Sequence, residues 1–145
     1  MSGADAKCMA DANYPGAGTY KALIVDGTNR VASVSANTGD GQVDWVLHPN
    51  TTYTRPDGTI IMTTNGNGIF VFGTLTNLFI TTWKNPWDGI ATGWTLTTGQ
   101  TCVDWTSGAF ADYGGIGNTS RNDGVAISAT PTRCNGSNAL YCVEQ

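Results

Sequence analysis

Cys8, Cys102, Cys134 and Cys142 have the broadest chemical repertoire in this chain, because thiols cross-link, ligate metals and act as nucleophiles. Their spacing favours cross-linking. No Cys-x-x-Cys pair is present for zinc or redox exchange, and the single histidine, His48, cannot complete a Cys/His ligand set. Four cysteines allow three pairings, and spacing does not choose among them. In the chain-entropy description, a bridge from 102 to 134 would destabilise the unfolded chain by roughly 4 kcal/mol and one from 8 to 142 by roughly 5, without additivity for nested loops. Four buried free thiols are the alternative.

Other catalytic constellations are weaker. His48 precedes Pro49 with no Gly-x-Ser-x-Gly elbow anywhere in the chain, so a satisfied or exposed histidine is the simpler reading. Glycoside hydrolysis needs two facing carboxyls, and Glu144 is the only glutamate. An enzyme is therefore the least expected class. Sugar binding by stacking on indoles is a better use of Trp83, Trp87, Trp94 and Trp105. Trp105, three residues past Cys102, is read as packing a disulfide. Trp87, in Asn85-Pro86-Trp87-Asp88-Gly89, is expected on a turn and is the exposed candidate. Asn50-Thr51-Thr52, Asn118-Thr119-Ser120 and Asn135-Gly136-Ser137 match the glycosylation pattern but read as ordinary turns.

The composition says where such residues must sit. A chain of 145 residues is expected to form a single domain, residues 1–145, with a core of its own. Charged residues are only 12%, so Thr, Ser, Asn and Gly must build the polar surface. Nineteen glycines with repeated Thr-Thr and Asn-Gly pairs argue for strands and turns. The net charge of −4 and scattered Lys and Arg argue against nucleic acid and anionic membranes as partners. There is no apolar run long enough to span a membrane as a helix. No signal peptide or lipidation motif is seen, and the expectation is an exported protein whose export signal has been trimmed.

Residues 2–13 are expected to form a short helix with Ala4, Cys8 and Ala12 on one face. Residues 19–25 form a strand closed by the Asp26-Gly27 turn. Residues 29–44 are ambiguous, and Trp45-Val46-Leu47 is a buried extended segment. Residues 51–54 and 59–62 flank Pro56-Asp57-Gly58 as a hairpin, and Asn65-Gly66-Asn67-Gly68 makes a second turn. Residues 106–124 read as a long surface loop. Residues 125–128 and 139–143 are closing strands.

With those elements in place, Gly3-Ala4-Asp5 followed by Cys8, Gly18-Thr19-Tyr20-Lys21-Ala22-Leu23, Cys102-Val103-Asp104-Trp105 and Leu140-Tyr141-Cys142-Val143-Glu144 resemble endostatin. Endostatin is the C-terminal domain of collagen XVIII, with a distant C-type-lectin-like fold. The chain is more similar to endostatin-like surface and secreted proteins of spirochaetes, and the resemblance runs over nearly its whole length. It implies an α+β, C-type-lectin-like fold, strand-rich, with one short N-terminal helix and long loops. It also implies bridges Cys8–Cys142 and Cys102–Cys134.

Endostatin's zinc histidines and heparin-binding arginine clusters have no counterpart here. Sugar-binding lectins use calcium with Glu-Pro-Asn and Trp-Asn-Asp motifs, of which Lys84-Asn85-Pro86 and Arg121-Asn122-Asp123 are partial echoes. Asp88, Asp104, Asp112 and Asp123 are the carboxylates of that half. Trp87, Asp88, Asn122 and Asp123 are thus the ligand-binding candidates, with no catalytic or metal site assigned and calcium kept as an alternative. The expected function is non-enzymatic binding by a secreted or outer-membrane surface-exposed bacterial protein. The expected partners are host extracellular-matrix proteins, plasminogen or complement regulators. A lectin-like carbohydrate-binding domain is the alternative, and an envelope or assembly protein a third possibility.

Overall fold

The computed structural model describes residues 1–145. It has a mixed α+β structure with one regular helix, α1 (Ser2–Met9), and eight short strands. These are β1 (Tyr20–Ala22), β2 (Thr52–Thr54), β3 (Ile60–Thr63), β4 (Pro86–Trp87), β5 (Tyr113–Gly114), β6 (Thr132–Arg133), β7 (Ala139–Leu140) and β8 (Cys142–Glu144). They join in four separate pairs rather than one sheet. β1 with β8, β2 with β3 and β5 with β6 are antiparallel, and β4 with β7 is parallel.

Of 59 backbone–backbone hydrogen bonds, only 12 lie within helix and strands, so turns and loops carry most of the backbone pairing. Such a chain relies on cross-links and side-chain bonds to hold its shape. Both disulfides are present as Cys8–Cys142 and Cys102–Cys134, with Cα–Cα separations of 5.5 and 5.6 Å. The outer bridge joins α1 to β8, which already pairs with β1 through Ala22 opposite Cys142.

The main core gathers Leu23, Val25, Val46, Leu47, Ile69, Phe70, Ile90, Ile127 and their neighbours around Trp94. That indole is fully buried, with Trp45, Phe70 and Phe72 edge-on at 5.9, 4.7 and 5.5 Å between ring centroids. Its N–H donates to the Phe70 carbonyl at 2.9 Å, so the polar handle of a buried tryptophan is satisfied.

A second device fixes α1. Eight residues are too few for a helix to persist alone, and of α1 only Cys8 is buried. Arg30, fully buried, reaches Asp5 of the helix through Nη1 and Nη2, each at 2.8 Å, and also bonds Asp44 and the Ala22 carbonyl. Burial pushes the Asp5 carboxyl upward, but the Arg30 guanidinium and the Ala22 N–H outweigh it and hold the group below its ordinary range. Asp26 shapes the turn that delivers Arg30, accepting from the backbone N–H groups of Thr28, Asn29 and Arg30 at 2.9, 2.7 and 3.0 Å. Burial raises its pKa, and those bonds with the Asn29 amide bring it down to about 2.

Several expected elements differ in extent or type. The first helix ends at Met9 instead of residue 13, because the Asp11 carboxylate takes the Asn13 N–H at 2.8 Å and turns the chain. The strand expected over 19–25 is paired with β8 only through Ala22. Beyond it, Leu23 donates to Tyr141 and Val25 to Asp88, two different neighbours. The hairpin around Pro56-Asp57-Gly58 forms as β2–β3. Residues 125–128 are no strand: Asp123 caps the Val125 N–H at 3.1 Å and starts a 3-10 turn over Gly124–Ala126. The supposed surface loop 106–124 dives inward from Gly114 to Gly117, where small residues let it pass between packed elements. A Cβ at Gly114 would lie 2.5 Å from the Trp87 ring and 2.7 Å from the Cys102 sulfur.

Candidate functional site

The inner bridge anchors the most unusual backbone in the chain. Cys102, Val103, Asp104 and Trp105 have φ of 49°, 52°, 53° and 62°, making one left-handed helical turn without a glycine. Each such residue costs of order 1–2 kcal/mol against the right-handed form, and a β-branched residue there is a true outlier. The turn persists because its surroundings determine it. Thr101 accepts the Asp104 N–H on its hydroxyl at 3.2 Å, and its carbonyl accepts the Trp105 N–H at 2.6 Å. The Trp105 indole donates to the Val25 carbonyl at 2.8 Å, and Cys102 is cross-linked to Cys134. The consequence is a hydrophobic side chain pushed outward: Val103 is 60% exposed.

On the other side of the same bridge, Arg133 of β6 stands directly opposite Tyr113 of β5. Its guanidinium carbon lies 3.9 Å from the centroid of the Tyr113 ring and 4.6 Å from that of Phe110. These are cation–π distances. Arg133 Nη1 donates to the Phe110 carbonyl at 3.2 Å and to the Ala111 carbonyl at 3.4 Å, clamping the 106–112 loop. That loop is tied internally by Ser107, whose hydroxyl donates to Asp112 and accepts the Ala109 N–H at 3.1 Å. Phe110 remains 66% exposed and Tyr113 is also exposed. The bridge keeps the Cα atoms of Val103 and Arg133 within about 13 Å of each other, two Cα steps beyond the cross-link. Phe110, Tyr113 and Arg133 thus form a fixed platform, with the exposed Val103 across the cross-link from it. Nothing local marks a left-handed valine, so sequence reasoning did not single out these residues.

The four residues anticipated as ligand-binding candidates do not form one site. Trp87 lies in β4, not on a turn, and is half-buried. Its ring stands 5.9 Å from that of Trp105, in the small cluster around Cys8, Ala22 and Ile24. Trp105 thus packs beside the outer bridge as well as following a cysteine of the inner one. Asp88 is fully buried. Asn122 is exposed, and Asp123 beside it pairs with Arg121. Asp88, Asp104, Asp112 and Asp123 do not converge: no three His, Cys, Asp or Glu side chains come together as a cluster. The strongly exposed indole is that of Trp83, at 61%. A separate shallow groove of about 340 Å³ runs over Ile69, Phe70, Val71 and Phe72 beside Asn37 and Asn65.

Asp88 is nonetheless chemically unusual. One oxygen accepts the Ile90 N–H at 2.9 Å, and the other, Oδ2, has no partner. Burial pushes its carboxyl well above the ordinary range, against that single bond. Gly117 allows the close approach here: a Cβ on it would be 2.2 Å from the Ala126 carbonyl oxygen and 3.1 Å from Oδ2. A carboxyl protonated in the fold but ionised when unfolded makes stability fall as pH rises. Wild-type unfolding free energy is therefore expected to drop by about 1.4 kcal/mol per pH unit above the normal carboxylate pKa until Asp88 ionises. Asp88→Asn should remove that slope in the range just above the normal carboxylate pKa and be the more stable protein once Asp88 ionises only in the unfolded chain. Urea titrations of both proteins across that range check it, and parallel slopes would refute it.

Residues 1–122 match the family described as Protein of unknown function (DUF1554). The chain belongs to that family. The match takes in the left-handed turn, Phe110 and Tyr113, whereas Arg133, Cys134 and Cys142 lie C-terminal to it. In this DUF1554 chain, both bridges therefore join a cysteine inside the matched region to one beyond it. No curated protein and no solved structure matches significantly. No helix is long and apolar enough to cross a membrane. Two disulfides are compatible with an extracellular setting, where oxidising conditions keep them formed.

Proposed function

We propose that this chain is a non-enzymatic protein-binding module of an exported bacterial surface protein, and that the platform beside Cys102–Cys134 is its contact surface. The observation that carries the reading is Val103, held outward on a left-handed turn that the bridge and the Trp105–Val25 bond keep in place. Strain of this kind concentrates at functional sites. Exposed aromatics and arginine on a rigid frame are the residue types that dominate protein interfaces. Binding through loops on a fixed scaffold suits a chain whose backbone pairing lies mostly in turns. The endostatin-like, C-type-lectin-like resemblance points the same way and names the partner class: host extracellular-matrix proteins, plasminogen or complement regulators.

The test is a binding screen against immobilised matrix proteins, plasminogen and complement regulators, with and without chelator. Val103→Asp combined with Phe110→Ala should weaken the strongest interaction at least tenfold, whereas Trp83→Ala should leave it unchanged. The exposed Trp83 indole favours a second reading, a carbohydrate-binding domain. A glycan array run in parallel separates the two. Glycan binding lost with Trp83→Ala, with no protein partner affected by the platform variant, would replace the first reading by the second.

A further inference from the structure

We propose that Arg133 is the specificity-determining residue of this platform and takes a carboxylate, that of an acidic side chain on a partner protein; the inference rests on the protein-binding reading above. Among the cations, Lys21 and Arg30 are bound to Asp44 or Asp5, and Arg121 to Asp123. Arg55 spends Nε and Nη2 on the Leu78 carbonyl at 2.8 and 2.6 Å. Lys7, Arg55, Lys84 and Arg133 are in no ion pair, and of these only Arg133 is stacked on aromatic rings. No carboxylate of the chain lies within ion-pair distance of Arg133, and Asp112, the one carboxylate of the loop it clamps, is engaged by Ser107. Only Nη1 is used internally. Nε and Nη2 have no partner in the chain, yet neither is sealed from solvent, since the one buried side-chain atom lacking a partner is Asp88 Oδ2.

Two rings and two backbone carbonyls therefore hold a guanidinium in place while two of its nitrogens stay free to donate. A carboxylate is the group that accepts from two such nitrogens at once, with geometric as well as electrostatic selectivity. Because the rings and the clamp already restrict Arg133, little further ordering is needed on binding. The net charge of −4 supplies no long-range attraction for an acidic partner. Recognition at Arg133 is thus a short-range contact that selects among partners rather than steering them.

The probe is a blocked peptide with one glutamate between glycines, compared with its glutamine counterpart and with sialyllactose, each titrated into isotope-labelled protein. The glutamate peptide should shift the Arg133 Nε–H resonance and the Phe110 and Tyr113 ring signals saturably. The glutamine peptide should bind at least tenfold more weakly. Arg133→Lys, which keeps the charge but loses the fork, should lower the glutamate-peptide affinity several-fold, and Arg133→Gln should abolish the response. Equal response to both peptides, no response, or a response surviving in Arg133→Gln would overturn the proposal. Preference for sialyllactose over the glutamate peptide would also overturn it, in favour of a glycan carboxylate. Matrix-protein binding sensitive to Val103→Asp with Phe110→Ala but not to Arg133→Gln would sink this inference alone and leave the binding-module reading standing.

Discussion

Replacing Cys8 and Cys142 together with serine is expected to lower the unfolding free energy by about 5 kcal/mol. The bridge closes a loop of 134 residues, nearly the whole chain, and in the chain-entropy account that constraint acts by restricting the unfolded state. A folded-state argument adds to it. α1 buries only Cys8, and eight residues do not make a stable helix in water. Without the bridge, α1 is held mainly by Asp5, through Arg30 and the Ala22 N–H, with the Met9 sulfur accepting the Tyr20 N–H and Ala4 packing on the cluster around Ala22. Guanidinium denaturation of the double variant measures the loss, and hydrogen exchange should show the α1 amides losing protection first. A loss below about 1 kcal/mol, far under the expected range for a native disulfide, would mean that the Asp5–Arg30 contact suffices. The inner bridge, closing 32 residues, is expected to contribute about 4 kcal/mol by the same account.

Arg30→Met carries the second large effect, a destabilisation of about 3–5 kcal/mol. The guanidinium is fully buried, and removing it leaves the Asp5 carboxylate, 21% exposed, without its counter-charge, whereas the exposed Asp44 keeps Lys21. It also leaves the Ala22 carbonyl without the bond it accepts at 2.7 Å. Removing one partner of a buried charge network costs more than the network's net stabilisation, so Arg30→Met with Asp5→Asn should recover part of the loss. The acid limb supplies a check on sign. The Asp5 pKa is depressed in the fold, so its contribution is present above the unfolded value of about 3.9 and is lost as pH falls through the folded one. Arg30→Met should therefore be least harmful at low pH. A constant difference between wild type and Arg30→Met at all pH values would show that packing, not charge, explains the loss.

Sequence reading succeeded where the cause was local. The Pro56-Asp57-Gly58 turn sits between two β-branched runs, and turn chemistry with alternation is enough to specify the β2–β3 hairpin. The Asp26-Gly27 turn follows from a side chain that bonds backbone two to four residues ahead. It misjudged extent where the partner is distant. Whether residues 23–25 continue a strand depends on Tyr141 and Asp88, and whether 125–128 form one depends on a neighbouring strand that is not there.

The candidate site was less legible still. Asn85-Pro86-Trp87-Asp88-Gly89 has turn composition, yet Trp87 pairs in β4 with Leu140 of β7 and Asp88 is sealed in the interior. The chemical inventory of the chain was readable without coordinates: cysteines spaced for cross-linking rather than metal, one histidine, one glutamate, scattered cations and a hydroxyl-rich surface. Those are properties of residue type and spacing. Tertiary structure alone decided that four consecutive residues run left-handed, that Val103 points outward and that Arg133 lies on two rings with free donors. The reason is physical: a left-handed valine is locally unfavourable. It exists only because a tryptophan bonds a carbonyl 80 residues away and a cysteine bonds one 32 residues on.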